Sequence, residues 1–406
     1  MFTKKTIRDV TLNGQKVLVR VDYNVPLEDG RIDDDYRMTQ SLPTLQYLLE
    51  QQCAVVLCAH LGRPDGQVVP DLSLRPVAEH LGELLHMPVG FVSDCIGQKV
   101  KDAAAALQPG QVLLLENLRF HAEEEANDPA FAEQLAKDSG ATYFVQDGFG
   151  EVHRAHASTV AITTFLPSVA GFLLEKEVTE ITSAMQAPKH PLVAILAGAK
   201  VSDKIKLLEK FVEIADEIIV GGGIANTFLA YKGSPIGKSL FEESQEGEVG
   251  RIYQLAQAKL RGQRDVDAFI SLPSDAVVAK SIDENAEAHV VTAKDVAADD
   301  MILDLGPDSA AHIVQLLQGA GTVIWNGTLG MAEQPAYAKT SAAVAQALAN
   351  QPETTSIIGG GDTADFVRAW IREHNQPFGH ISTGGGASLE LMAGDKLPGV
   401  EALMGK

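Results

Sequence analysis

The chain has 406 residues, 45% of them hydrophobic and 6% aromatic, with 33 Lys and Arg against 54 Asp and Glu for a net charge of −21. These proportions exclude a disordered, collagen-like or disulfide-stapled polypeptide and allow two or three domains with sizeable cores. So acidic a protein is not expected to bind nucleic acid or an anionic membrane. Cys53, Cys58 and Cys95 form no CxxC pair and read as reduced, buried thiols. Residues 1–5 lead into mixed polar sequence and not into an apolar signal core. The richest apolar run, 192–199, falls far short of the roughly 18 residues of a membrane span. A cytoplasmic protein is expected.

In chain order, short and nearly all-apolar runs predict strands at 16–23, 54–60, 89–92, 111–117 and 141–146. Helical periods fill 39–52, 75–86, 96–107 and 129–139 between them. A helical stretch over 168–186, bounded by Pro167 and Pro188, reads as a connector. Strand runs resume at 192–197, 217–220, 268–272, 301–305, 322–325, 355–358 and 380–382. Strands without polar alternation are covered on both faces, and their alternation with helices argues for parallel, doubly wound sheets. Twelve strands are too many for one sheet, so two α/β domains are expected.

In open α/β sheets, ligands bind beyond the carboxyl ends of the strands. In the first half those positions carry Asp22 and Asn24, His60 and Arg63, Asn117 and Arg119, then His153, Arg154 and His156. Arg20, Arg63, Arg119 and Arg154 lie at or just after strands, and Arg37 is placed in the loop after the first. A guanidinium fork suits phosphate or carboxylate, so these positions predict a small polyanion site. In the second half glycines take the same places: Gly198, the triplet 221–223, Gly327, and the triplets 359–361 and 384–386. Glycine permits close backbone approach, and a following helix offers N–H groups to phosphate, so this edge predicts a nucleotide site.

Two phosphate-loop patterns fail. The run GSPIGKS (233–239) has three residues between its glycines where a Walker A loop needs four, and it follows a helical segment. No GxGxxG fingerprint exists, since Gly221, Gly222 and Gly223 are followed by Ile-Ala-Asn. GxSxG and HExxH are absent too, which removes the corresponding hydrolases and zincins.

The segments RVDYNVPL (20–27), HLGRP (60–64), ENLRFH (116–121), HRAHAS (153–158) and GAKVSDKI (198–205) resemble those of phosphoglycerate kinases. So do GGGIANTFL (221–229), WNGTLG (325–330), GGGDTADF (359–366) and STGGGASLELM (382–392), in order over essentially the whole chain. The resemblance implies two doubly wound parallel-sheet (Rossmann-like) domains joined by a connector helix in a bilobed hinge enzyme. An N-terminal 3-phosphoglycerate domain would span 1–170, with the tail 393–406 packing back on it. The connector would span 171–187 and the C-terminal nucleotide domain 188–392. The implied activity is reversible, Mg²⁺-dependent phosphoryl transfer between ATP and the carboxylate of 3-phosphoglycerate, giving ADP and 1,3-bisphosphoglycerate, by a monomeric glycolytic enzyme.

By the same resemblance Asp22, Asn24, Arg37, His60, Arg63, Arg119 and Arg154 hold 3-phosphoglycerate. Gly198, Lys204, Gly222, Asn326, Glu333, Gly361, Asp362 and Thr363 bind the nucleotide, together with Gly359 and Gly360 of the same triplet, and Lys200 lies by the transferred group. Several positions depart from the family pattern. Tyr23 replaces phenylalanine, Thr328 and Ala332 replace proline and phenylalanine, and Gly148, Glu151 and Val152 replace alanine, threonine and alanine. Glu151 puts a carboxylate close in sequence to Arg154.

A carboxylate acceptor is already a deprotonated nucleophile, so no general base is required, and His153 and His156 read as orienting or packing groups. Catalysis then rests on alignment and on cations facing the transferring oxygens. Arg37 and Lys200 are the candidates, with N–H groups of Gly384 and Gly385 at a helix start. Asp362 opens a helix, which would suit a plain N-cap, but the favoured reading is a magnesium ligand, because Mg²⁺ takes one or two carboxylates beside phosphate oxygens. A dehydrogenase would need the missing dinucleotide fingerprint, and a periplasmic-type binding protein would need an export signal.

Overall fold

The structure is a computed structural model that describes residues 2–28, 30–283 and 286–406. The chain divides into two compact units, Met1–Thr179 with Lys396–Lys406, and Glu180–Asp395.

Unit 1 is built on a six-stranded parallel sheet. Its spatial order is Val89–Val92, Val112–Leu115, Ala54–Cys58, Lys16–Arg20, Tyr143–Gln146 and Ser168–Ala170. Because successive strand residues face opposite ways, each strand feeds two cores. Val17, Val19, Val55, Leu57, Val112 and Leu114 pack with Met38, Leu45, Leu48 and Leu81 on one face. Leu18, Val56, Cys58, Leu113 and Leu115 pack with Val100, Phe131 and Leu135 on the other. Full burial of each such side chain stabilises by about 1.5–3 kcal/mol, which is why both parities of these strands are apolar. Lys16–Arg20 is flanked by the second and the fifth strands in sequence, so the connections diverge and open a crevice at its carboxyl end.

Residues 168–170 form an edge strand where a connector helix is expected. The helix starts later, at Phe172–Gln186, because the Asp147 carboxylate accepts the Leu173 N–H (2.9 Å) and so fixes its first turn. The tail closes the same region. Lys5 N donates to Met404 O (2.8 Å), Met404 N to Ser168 O (3.0 Å), and Gly399 N to Val152 O (2.9 Å).

Unit 2 carries a second six-stranded parallel sheet. Its order is Ile270–Ser271, Glu217–Val220, Leu192–Leu196, Thr322–Asn326, Thr355–Gly359 and His380–Ile381. The switch point falls between Leu192–Leu196 and Thr322–Asn326. The strand Met301–Leu305 departs from expectation. It pairs antiparallel with Asp275–Ala279, which also pairs with His289–Thr292, in a separate three-stranded sheet. His289–Thr292 is mostly exposed, so it has no apolar run to announce it. The Walker-like run packs on the residue before the last strand of that sheet, with Lys238 N donating to Asp300 O (2.7 Å), and does not form a phosphate loop. Among the described residues no helix is long and apolar enough to cross a membrane.

Candidate active site

In unit 1 the crevice gathers residues from four strand ends. Asp22 is 4% exposed, and its Oδ1 accepts from Arg37 Nη1 (3.2 Å) while its Oδ2 has no partner. Arg37 Nη1 also reaches Asn24 O (3.1 Å), and Asn24 Oδ1 accepts the Gly62 N–H (2.9 Å). Arg37 belongs to the helix Tyr36–Glu50 and not to the loop before it. The helix starts ahead of its apolar period because Asp34 Oδ1 takes the Tyr36 N–H (2.8 Å).

Arg20, noted at a strand end but given no binding role, lies fully buried. Its Nε donates to Ser158 Oγ (2.9 Å), and Ser158 Oγ donates to Glu124 Oε1 (2.6 Å). Arg20 Nη2 lies 3.1 Å from His60 Nδ1. A guanidinium has no acceptor, so Nδ1 must accept and the His60 proton sits on Nε2. Burial, reinforced by Arg20 and Arg119, holds this imidazole well below its ordinary pKa, so it is neutral at neutral pH. Arg119, 4% exposed, donates through Nη1 to Gly62 O (3.0 Å) and through Nη2 to Glu151 Oε2 (3.0 Å). Arg63 and Arg154 are exposed. Burial raises the Glu151 and Glu124 carboxyls above their usual range, against the pull of Arg20. Thus Arg63, Arg119 and Arg154 were legible from position, whereas Glu124 carries no motif signal.

His156 has a measurable consequence. Burial, with Arg20 and Arg119 nearby, lowers its pKa to about 4. An unfolded histidine titrates near 6.5, so the stability from keeping it neutral is fully present above about 6.5 and is lost as pH falls toward 4. In thermal melts His156→Gln should therefore gain on the parent by roughly 3 kcal/mol over that window. Parallel pH curves for the two proteins would contradict the assignment.

In unit 2 the glycines act by letting backbones meet. Gly222 (φ +58) donates its N–H to Leu329 O (3.1 Å), and a Cβ there would lie 3.0 Å from Gly198 O. These turns border a cavity of about 300 Å³ lined by Gly198, Gly222, Thr328, Glu333 and Asp362, with Leu240, Met301 and Met331 as an apolar wall. Lys204 Nζ donates to Ala197 O (2.5 Å), and burial brings its pKa down to about 8 against the opposing charge of Asp362. Asn326 is 1% exposed at the end of a central strand, and its side-chain nitrogen has no partner. That nitrogen lies against Gly359 and Gly360. Thr363 Oγ1 accepts the Gly327 N–H (2.7 Å).

Asp362 is not an N-cap, the alternative to its expected role as a magnesium ligand: Gly360 (φ 91) holds that place, and Asp362 sits exposed in the first turn of the helix Gly361–His374. The Gly384 N–H, expected to face the transferring oxygens, is engaged by Ser382 Oγ (3.1 Å), because the loop closes on itself before the helix Gly386–Met392, whose N-cap is Gly385. Lys200 is exposed.

The molecule thus has two doubly wound sheets, one ending in guanidinium and imidazole groups and the other in glycine turns suited to phosphate. The family model described as phosphoglycerate kinase matches residues 7–395. The chain is 48% identical to the phosphoglycerate kinase of Moorella thermoacetica over 405 residues and 47% identical to that of Herpetosiphon aurantiacus over 406, with all of each chain covered. The structure of phosphoglycerate kinase from Coxiella burnetii superposes with a TM-score of 0.84 at 36% identity, and that from Pyrococcus horikoshii with 0.82 at 31%, each over 98% of both chains. The chain belongs to the phosphoglycerate kinase family. The activity of this family is phosphoryl transfer in glycolysis, between ATP and 3-phosphoglycerate.

Proposed function

We propose that the unit 1 crevice holds 3-phosphoglycerate through Asp22, Asn24, Arg37, His60, Arg63, Arg119 and Arg154. In the same reading the unit 2 cleft holds ATP or ADP through Gly198, Lys204, Gly222, Asn326, Glu333, Gly361, Asp362 and Thr363, with Gly359 and Gly360 beneath. The observation that carries this reading is that each cluster lies at the switch point of its own sheet. The apolar wall of Leu240, Met301 and Met331 suits a planar base, and the glycine side suits phosphates.

The acceptor carboxylate needs no base, and burial lowers the pKa of His60 and His156 so that each is a weak proton acceptor. Arg37 is positioned by Asp22 and Asn24 toward the carboxylate end of the substrate. Lys200 and the Gly385 turn are assigned to the charge that spreads over the transferring oxygens. Mg²⁺ fits the residues present, since it takes one or two carboxylates plus phosphate and water oxygens, and Asp362 offers one exposed carboxylate at the cleft. Bound there, the ion would neutralise charge on the phosphate oxygens. A cytoplasmic setting is supported by three free, buried cysteines, and a monomer by family resemblance.

Asp362→Asn tests the metal and nucleotide assignment. Calorimetry should show that the variant loses the gain in ADP affinity that Mg²⁺ confers, while 3-phosphoglycerate binding is unchanged and most activity disappears. Retention of the Mg²⁺-dependent gain with full activity would leave Asp362 as no more than a charge at a helix start.

A further inference from the structure

The centre of the unit 1 cluster already contains an anion. The Glu151 carboxylate, in a residue 8% exposed, sets Oε2 at 3.0 Å from Arg119 Nη2 and Oε1 at 3.3 Å from His60 Nε2. His156 Nδ1 lies 3.9 Å from Oε2. The His60 contact is off the line of a good hydrogen bond, whereas the Arg119 contact is a charge-assisted one. Arg119 also donates through Nη1 to Gly62 O (3.0 Å), while its Nε lies 3.2 Å from Glu125 Oε1 without a hydrogen bond between them. Glu151 thus takes the Nη2 side of this guanidinium, where an incoming phosphate would have to compete with it.

The turn that carries Glu151 is held from both sides. Gly148 lets it approach the end of the first strand, since a Cβ there would lie 3.1 Å from the Val21 carbonyl carbon. From the other side the tail braces it, with Gly399 N on Val152 O (2.9 Å) and no space for a Cβ on Gly399, which would sit 3.0 Å from Val152. Gly148 thus admits the turn, the tail holds it through the Val152 carbonyl, and Glu151 delivers a carboxylate to the cations. With the backbone held, only the side chain can leave.

We propose that Glu151 is a built-in anion that occupies the anion-binding centre of unit 1 and must be displaced by any external anion bound there. The inference rests on the reading above for its consequence, namely that the phosphate of 3-phosphoglycerate is the anion that displaces it. Glu151 is then a residue that sets substrate affinity. It weakens phosphate binding in ground and transition states alike, so it acts on KM and not on kcat. It also guards the site against small inorganic anions, which lack the remaining contacts that a substrate makes.

Sulfate is a suitable probe, being a dianion that does not titrate in the working range. Calorimetry on the full chain without nucleotide should show sulfate binding to Glu151→Gln at least tenfold more tightly than to the parent, with KM for 3-phosphoglycerate lowered by a similar factor and kcat little changed. Glu151→Thr should behave alike, and it keeps the test usable if the glutamine variant does not fold. Sulfate bound no more tightly by either folded variant would overturn the proposal and make Glu151 a structural counter-ion of Arg119. Tighter sulfate with an unchanged KM would uphold the internal anion and instead overturn the placing of the substrate phosphate in this cluster.

Discussion

Arg37→Ala is expected to lower kcat by roughly 10²–10³-fold, the scale of losing one preorganised transition-state donor. The physical reason is where charge moves. The phosphate of 3-phosphoglycerate keeps its charge throughout, whereas the carboxylate end changes as the phosphoryl group arrives. Arg37 is suited to that end because its Nη1 is tied to Asp22 Oδ1 and Asn24 O, which sets the guanidinium plane before substrate binds. A contact equal in ground and transition states affects KM alone, so Arg63→Ala should raise KM by roughly 10-fold with kcat nearly intact. Arg63 is the clean comparison because it is exposed. Arg119→Ala would in addition leave Glu151 buried without its partner, a fault of stability as well as of binding. Steady-state kinetics on Arg37→Ala and Arg63→Ala decide the matter, and equal kcat losses would sink the division of roles.

Gly327→Ala should damage unit 2 more than an ordinary glycine substitution. Gly327 has φ +100, and a Cβ there would lie 2.0 Å from Ala197 O and 2.3 Å from Ala197 C. Neither partner can yield cheaply. Ala197 N is bonded to Asn326 O (2.9 Å), Trp325 Nε1 to Gly327 O (2.7 Å), and Gly327 N to Thr363 Oγ1 (2.7 Å). Strain at a positive φ plus a forced separation of the two central strands costs about 3 kcal/mol or more, or on the order of 10 °C in Tm for a unit of this size. Nucleotide affinity should fall with it, since Asn326 and Thr363 would be displaced. Calorimetry and ADP titration check both, and an unchanged Tm would show that the strand ends are looser than their hydrogen bonds imply.

The parts of the molecule legible from sequence are those where one force dominates. Runs such as 54–58 and 112–115 announce strands because both faces are buried, and the places of Arg63, Arg119 and Arg154 just past strands follow from where such runs stop. Features that depend on distant partners stay hidden. Glu151 is near Arg154 in the chain, yet its bond is to Arg119. Arg20 looks like a ligand residue by position, but its burial and its link through Ser158 to Glu124 make it a support for His60. The small antiparallel sheet escapes because one strand is exposed and carries no apolar period. The early start of the helix Tyr36–Glu50 escapes because it depends on one side chain, Asp34, and not on periodicity.

The tail has a consequence for how the protein is made. Residues 396–406 complete unit 1, yet a ribosome reaches them only after the whole of Glu180–Asp395. At about 5–20 residues per second that interval is on the order of 10–40 s. Throughout it Lys5 N, Ser168 O and Val152 O have no tail to pair with, although every strand of the first sheet has been translated. A nascent chain halted at residue 395 would therefore hold a complete second unit together with a first unit that still lacks its tail.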